Sequence, residues 1–140
     1  MSAMSDYLEV NLIKHLFRTG SYTKPTVLGV SLHTANPTDA GTGTEVSTVD
    51  TGYARVDTPP LDANWDATSG TDGHTSNTAD ITFPTPTGGT NWGAITHFGI
   101  WDATTAGNLL FYGALTTPKT VNQGDPAPKF LAGALDITLA

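Results

Sequence analysis

From Thr26 onwards, apolar residues come in short runs that alternate with polar ones and are cut by proline, glycine or Asn/Asp turns. A period of two puts every second side chain on one face, so such a pattern buries its apolar face by pairing strands. Thr26-Val-Leu-Gly-Val-Ser-Leu-His-Thr34 sets Leu28, Val30 and Leu32 against Gly29, Ser31 and His33. Similar runs predict strands over Tyr53–Val56, Ala79–Phe83, Ala94–Trp101, Leu109–Leu115 and Ala134–Leu139, with a short edge piece at Lys119–Val121. Pro59-Pro60, Pro84 and Pro86 end the runs before them, and 36–44, 87–91 and 122–125 carry turn chemistry. Asp102–Asn108 joins two of the most apolar runs into an expected hairpin. Residues 57–78 are the least regular, with Asp57, Asp62, Asp66 and Asp72 scattered among Thr, Ser, Gly and Asn. Threonine, which suits a pleated surface, is the most frequent residue.

One segment has helical spacing. Over residues 6–18, Leu8, Leu12, Ile13, Leu16 and Phe17 share a face. Ser5 or Asp6 can cap the first amides, Asp6 and Glu9 suit the positive end of the helix dipole, and Lys14 and Arg18 fall towards the other end. Gly20 is the expected stop. The greasy stripe must be covered, by the sheet or by a neighbouring subunit. One helix and about seven strands, without βα alternation, predict a mainly β fold. The expectation is an antiparallel β-sandwich or barrel-like domain with one N-terminal amphipathic α-helix. Residues 1–140 read as a single domain: the helix, a β-rich body over 26–140, and an irregular loop at 57–78.

Charge narrows the partners. Six Lys and Arg against thirteen Asp and Glu give a net charge of −7, and the basic residues are dispersed. A nucleic-acid binder concentrates cations on one face, so DNA and RNA are not expected partners. No cysteine is present, which removes disulfides, thiolate metal ligands and thiol nucleophiles. No apolar run approaches the roughly 20 residues of a membrane span. The start, Met1-Ser-Ala-Met-Ser-Asp6, lacks a basic region followed by an apolar stretch, so synthesis in a cytoplasm without signal-peptide export is expected.

Motifs for chemistry fail individually. Asp62-Ala-Asn-Trp-Asp66 opens like a calcium loop, but Ala67 stands where glycine is needed and Gly73 where glutamate is needed. Its Asp and Asn side chains are expected to bond their own backbone instead. His15, His33, His74 and His97 show no metal-ligand spacing and read as hydrogen-bonded structural residues; His33 and His97 lie in strands that can meet. No serine sits in a nucleophile elbow. Only Glu9 and Glu45 are glutamates, too few and ill-placed for a glycosidase pair. There is no Gly-rich phosphate loop followed by Lys. No cofactor, metal or catalytic residue is expected. Among the aromatics, Phe98, Trp101 and Phe111 read as core, whereas Trp65 lies between Asn64 and Asp66 in a polar loop. Trp65 is therefore an expected contact residue, for a subunit before a glycan. The expected assembly interface comprises Tyr7, Leu8, Leu12, Leu16, Phe17 and Trp65.

The order of motifs is more specific than any one of them. After the helix come Tyr22-Thr-Lys-Pro25, Leu32-His-Thr-Ala-Asn-Pro-Thr-Asp-Ala-Gly41, Gly43-Thr-Glu-Val46 and Gly52-Tyr-Ala-Arg55. Then follow Thr78–Pro84, Trp92-Gly-Ala-Ile-Thr-His-Phe-Gly-Ile-Trp-Asp102, Gly107–Leu115 and Lys119-Thr-Val-Asn-Gln-Gly-Asp125. This series closely resembles a widespread family of small virion proteins of tailed bacteriophages, labelled tail fibre, minor tail or head decoration proteins. The resemblance covers nearly the whole chain and thins across 57–77 and 125–129. It implies a virion part without catalytic activity. The reading that follows is a capsid decoration (cement) protein on the outside of the head, bound to the major capsid protein as a homo-oligomer, with a trimer favoured. The alternative is a tail or tail-fibre-associated protein that touches a host glycan, and a free carbohydrate-binding module comes after it. Assembly is expected in the host bacterial cytoplasm.

Overall fold

The computed structural model describes residues 2–67 and 73–139. Residues 68–72, which include Asp72 of the stretch read as irregular, lie outside the described residues, as do Met1 and Ala140. The elements are β1 (Ser2–Met4), α1 (Asp6–Phe17), β2 (Gly29–His33), β3 (Val56–Asp57), β4 (Gly73–Ser76), β5 (Ile81–Thr82), β6 (Gly93–Trp101), β7 (Leu109–Val121), β8 (Lys129–Phe130) and β9 (Asp136–Leu139). Five strands form an antiparallel sheet in the order β1-β7-β6-β2-β3, and β4-β9 and β5-β8 form two antiparallel ribbons.

The core lies between sheet and ribbons. Val30, Leu32, Phe98 and Ile100 from the sheet meet Ile81, Phe83, Leu135 and Ile137 from the ribbon side. Phe98 and Phe83 both set their rings edge-on to Phe130, at centroid distances of 6.2 and 6.1 Å. The arrangement is sandwich-like: mainly β, antiparallel, with one N-terminal helix.

The β6–β7 hairpin forms as its sequence predicts. The Asp102 carboxylate accepts from the Asn108 backbone N–H at 2.7 Å and from its side-chain amide at 2.8 Å, while Ala106 and Gly107 take positive φ to reverse the chain. β7 is longer than expected, because Lys119–Val121 continues it and pairs with Gly93–Ile95. Between the Ile95–Lys119 and His97–Ala114 pairs, β7 spends more residues than β6. Pro118 falls in that irregular stretch, where its missing N–H breaks no regular ladder.

The irregular stretch 57–78 holds more order than the sequence suggests. β4 pairs with β9 through its whole length, and Trp65 makes an isolated antiparallel bridge to Asn77. β1 and β8 were not expected either. Each is a strand of two or three residues without alternating apolar side chains, so pairing with distant partners defines it. The run expected over Tyr53–Val56 is a strand only at Val56–Asp57. Tyr53 and Arg55 instead send polar ends across the sheet.

The second face of the sheet explains this. All five residues of β2 are buried, so Ser31 and His33 are no more exposed than Val30 and Leu32. Ser31 Oγ lies 2.7 Å from His33 Nε2 and accepts from Trp101 Nε1 at 2.8 Å. The rings of His33 and Trp101 stack, and the Arg55 guanidinium lies 3.9 Å above the Trp101 ring. Arg55 bonds both oxygens of Glu45, at 2.8 and 2.7 Å, and donates to the carbonyls of Ala103 and Ala106. Tyr53 Oη donates to Glu45 at 3.0 Å and accepts from the Leu32 N–H at 3.0 Å. The charges are paired and hydrogen-bonded, as burial requires. Gly99 makes the space: a Cβ there would stand 2.7 Å from Ser31 Oγ and 3.0 Å from both His33 Nε2 and Trp101 Nε1.

Two outcomes follow. Gly99→Ala forces this network apart and costs about 1–3 kcal/mol of stability, measured by urea unfolding. His33 is buried with an unpartnered Nδ1, and burial pushes its pKa down to about 4. The unfolded chain then binds a proton below pH 6.5 that the folded chain refuses until about pH 4. Stability conferred by the neutral ring is complete above pH 6.5 and falls between pH 6.5 and 4, by about 3 kcal/mol at about 1.4 kcal/mol per pKa unit. His33→Gln flattens that part of the stability–pH curve; an unchanged slope refutes the assignment.

Candidate assembly surface

α1 is fixed at one end. Ser5, fully buried, is its N-cap and accepts from the Leu8 N–H at 3.2 Å. The same hydroxyl donates to the Leu109 carbonyl, and the Ser5 N–H bonds the Leu110 carbonyl at 2.9 Å. The Asp6 N–H bonds the Asp39 carbonyl at 3.1 Å, and Asp39 accepts from the Tyr112 hydroxyl. That contact pushes the Tyr112 phenol up to about 12. The first turn is thus joined to β7 and to the loop over the second face of the sheet.

Beyond that turn the helix leaves the body. Leu8 is buried and Leu12 half-buried, but Ile13, Leu16 and Phe17 are 55, 69 and 76 % exposed. Tyr7 and Val10 are also exposed. Of the residues expected at an assembly interface, Tyr7, Leu16 and Phe17 lie outward, Leu12 lies at the flank, and Leu8 turns inward as the helix's own anchor. Val10, Ile13 and Phe17 follow at i, i+3 and i+7, an apolar row along the free side. The chain turns back closely after Arg18: a Cβ on Gly20 would lie 3.0 Å from Lys14 Cβ, and the Tyr22 N–H donates to His15 Nδ1 at 3.2 Å.

Trp65 lies elsewhere and in a different setting from the one expected. It is half-buried, with its indole N–H on the Thr58 carbonyl at 3.2 Å. Its ring lines an open cleft of about 730 Å³ with Leu28, Leu61, Phe111 and Ile137, and with Asp62 and Asp66 among the polar residues. After Leu61 the chain makes one turn, in which the Asn64 and Trp65 N–H groups both bond the Leu61 carbonyl, and the Asp66 N–H then pairs with the Ser76 carbonyl at 2.9 Å. Asp66 accepts from Ser76 Oγ at 3.0 Å, and the Asn64 amide donates to the Pro59 carbonyl at 2.9 Å. The Asn64 contact is the expected side-chain bond to nearby backbone, whereas the Asp66 carboxylate bonds a hydroxyl of β4. Among the described residues, no cluster of three or more His, Asp or Glu is placed to hold a metal.

The histidines behave as structural residues. His33 and His97 are register partners across β2 and β6, His97 Nδ1 lies 2.8 Å from Thr96 Oγ1, and His74 Nε2 lies 2.9 Å from Asp136. Sequence reading missed the cleft and the polar network. A glycine inside the apolar run of β6 was the available signal, since an interior strand glycine marks close approach.

At a concentration where the chain is monomeric, Ile13→Asp with Phe17→Asp leaves the unfolding free energy within about 0.5 kcal/mol, because both side chains are mostly in water. Ser5→Ala costs about 1–2 kcal/mol through the lost cap. Urea unfolding with circular dichroism compares the two; a large loss from the first variant would mean that the helix packs against its own body.

A family model described as podophage GP4 fiber I protein gp80 matches residues 3–138. No curated protein matches the chain. The match takes in the helix, the sheet, both ribbons and the cleft, so the resemblance drawn from the order of motifs holds at the level of a phage virion structural protein. The chain belongs to the podophage GP4 fiber I protein gp80 family.

Proposed function

We propose that the chain works as one non-catalytic structural subunit over residues 1–140, assembled as a homotrimer through α1 and the surface around Trp65 and mounted in that form on a larger virion protein. The observation that carries this reading is the helix itself: its first turn is bound to β7, and the rest presents Ile13, Leu16 and Phe17 to water. A contiguous apolar surface of this kind marks a protein contact. The interface residues would be Tyr7, Leu12, Leu16, Phe17 and Trp65, with Leu8 holding the helix from inside. Assembly would take place in the host bacterial cytoplasm.

Two locations fit. A fibre or tail attachment draws on the word fiber in the family description, and its partners would be the tail protein and a host glycan. The second reading is capsid decoration on the major capsid protein, which the net charge of −7 supports on the outer side of a DNA-filled head. Copy number separates them. Quantitative mass spectrometry of purified virions is expected to find the chain at a small fraction of the major capsid protein. Near-equal abundance would instead place it on the head, and absence from the particle would overturn both readings.

A further inference from the structure

Two short segments of this chain carry the same spacing with opposite charge. In α1, Ile13-Lys14 is followed four residues later by Phe17-Arg18. At the cleft, Leu61-Asp62 is followed four residues later by Trp65-Asp66. α1 is helical to Phe17 with Arg18 as its C-cap, and the turn that follows Leu61 closes on the Leu61 carbonyl before Trp65 and Asp66 pass into extended pairing with Asn77 and Ser76. Each therefore sets two apolar side chains four residues apart beside two like charges, and Leu61, Asp62, Trp65 and Asp66 all line the cleft. Lys14 and Arg18 are two of only six basic residues in a chain of net charge −7. Leu61 is 58 % exposed, and the cleft behind it is large and mostly apolar.

We propose that α1 of one copy docks on the 61–66 segment and cleft of a second copy, with Ile13 and Phe17 against Leu61 and Trp65, and Lys14 and Arg18 against Asp62 and Asp66. This deepens the oligomeric part of the reading above and rests on it. The occupant is the chain itself because each surface supplies what the other lacks, in shape and in sign. Lys24 also lines the cleft, but its ammonium is engaged by the Pro60 carbonyl at 3.1 Å. Asp6 and Glu9 lie in the first turn of the helix, away from the basic end. The contact joins two different surfaces, so it is head-to-tail. It closes into a ring where the rotation permits, and each copy then both gives a helix and receives one.

The test is the mass of the purified full chain in solution by light scattering, at rising concentration. Wild type is expected at a whole multiple of the single-chain mass. Ile13→Asp/Phe17→Asp and, separately, Leu61→Asp are expected at the single-chain mass, with circular dichroism unchanged because all three positions are exposed. Mixing these two variants leaves one intact helix facing one intact cleft, so the mixture forms a dimer and nothing larger. Lys14→Asp/Arg18→Asp weakens assembly, and adding Asp62→Lys restores part of it. Three results overturn the proposal: a wild type that stays monomeric, a Leu61→Asp variant that still assembles, or a mixture that stays monomeric. The first would leave the cleft to another virion protein or a glycan, and the second would mean that helices pair with helices. Copy number in the virion is measured independently, so a failure here is distinct from a failure of the virion reading.

Discussion

The absence of one Cβ at Gly99 decides how the second face of the sheet is built. Because β6 is bare there, Ser31, His33 and the Trp101 indole close over it, and the ring of Trp101 becomes a platform for Arg55. Arg55 then fixes Glu45 on one side and the carbonyls of the β6–β7 connection on the other. An interior that is usually filled with aliphatic side chains is filled here with a hydrogen-bonded chain of polar groups. Such a network is stiff when every member is satisfied and fails as a unit when one is removed. Loops cover this face of the sheet, and Asp39, which receives the first amide of α1, lies in one of them.

The helix is consequently mounted rather than packed. Most amphipathic helices owe their stability to tertiary burial of a whole stripe. α1 has burial only near Leu8, and its remaining support is local: the Ser5 cap, an acidic first turn, basic residues in the last turn and the closing bond from Arg18 to the Lys14 carbonyl. A twelve-residue helix is marginal on local terms alone. Its apolar row therefore has a thermodynamic reason to find a partner, which fits membership of a family of virion structural proteins.

What the sequence makes legible follows from which interactions are local. α1, β6, β7 and β9 are visible because each contains enough consecutive residues of one period. β2 occupies Gly29–His33 within the run expected over Thr26–Thr34, but its polar side looks solvated; burial of Ser31 and His33 depends on Arg55 and Trp101, distant in sequence. β1, β4 and β8 carry no such period and take their form from partners far along the chain, while β5 is the paired part, Ile81–Thr82, of the run expected over Ala79–Phe83. The outward side of α1 is legible as an unpaired stripe, although Leu8 belongs to the body. Trp65 is picked out by its polar neighbours, yet those neighbours hid the fact that its ring closes an apolar cleft, which only the pairing of β4 with β9 and the bridge to Asn77 creates.

The position of Ser5 has a consequence in time. Its hydroxyl bonds the carbonyl of Leu109, 104 residues later, and Ser2, three residues before it, bonds Thr138, 136 residues away. Ribosomes deliver the N-terminus first, so α1 emerges long before the strand that carries it. Bringing such distant segments together is slow, because the loop between them must close before any contact rewards it. A nascent or broken chain thus bears the apolar helix without its mount, at no fixed angle to anything. Only a finished fold holds it at a fixed angle to the sheet.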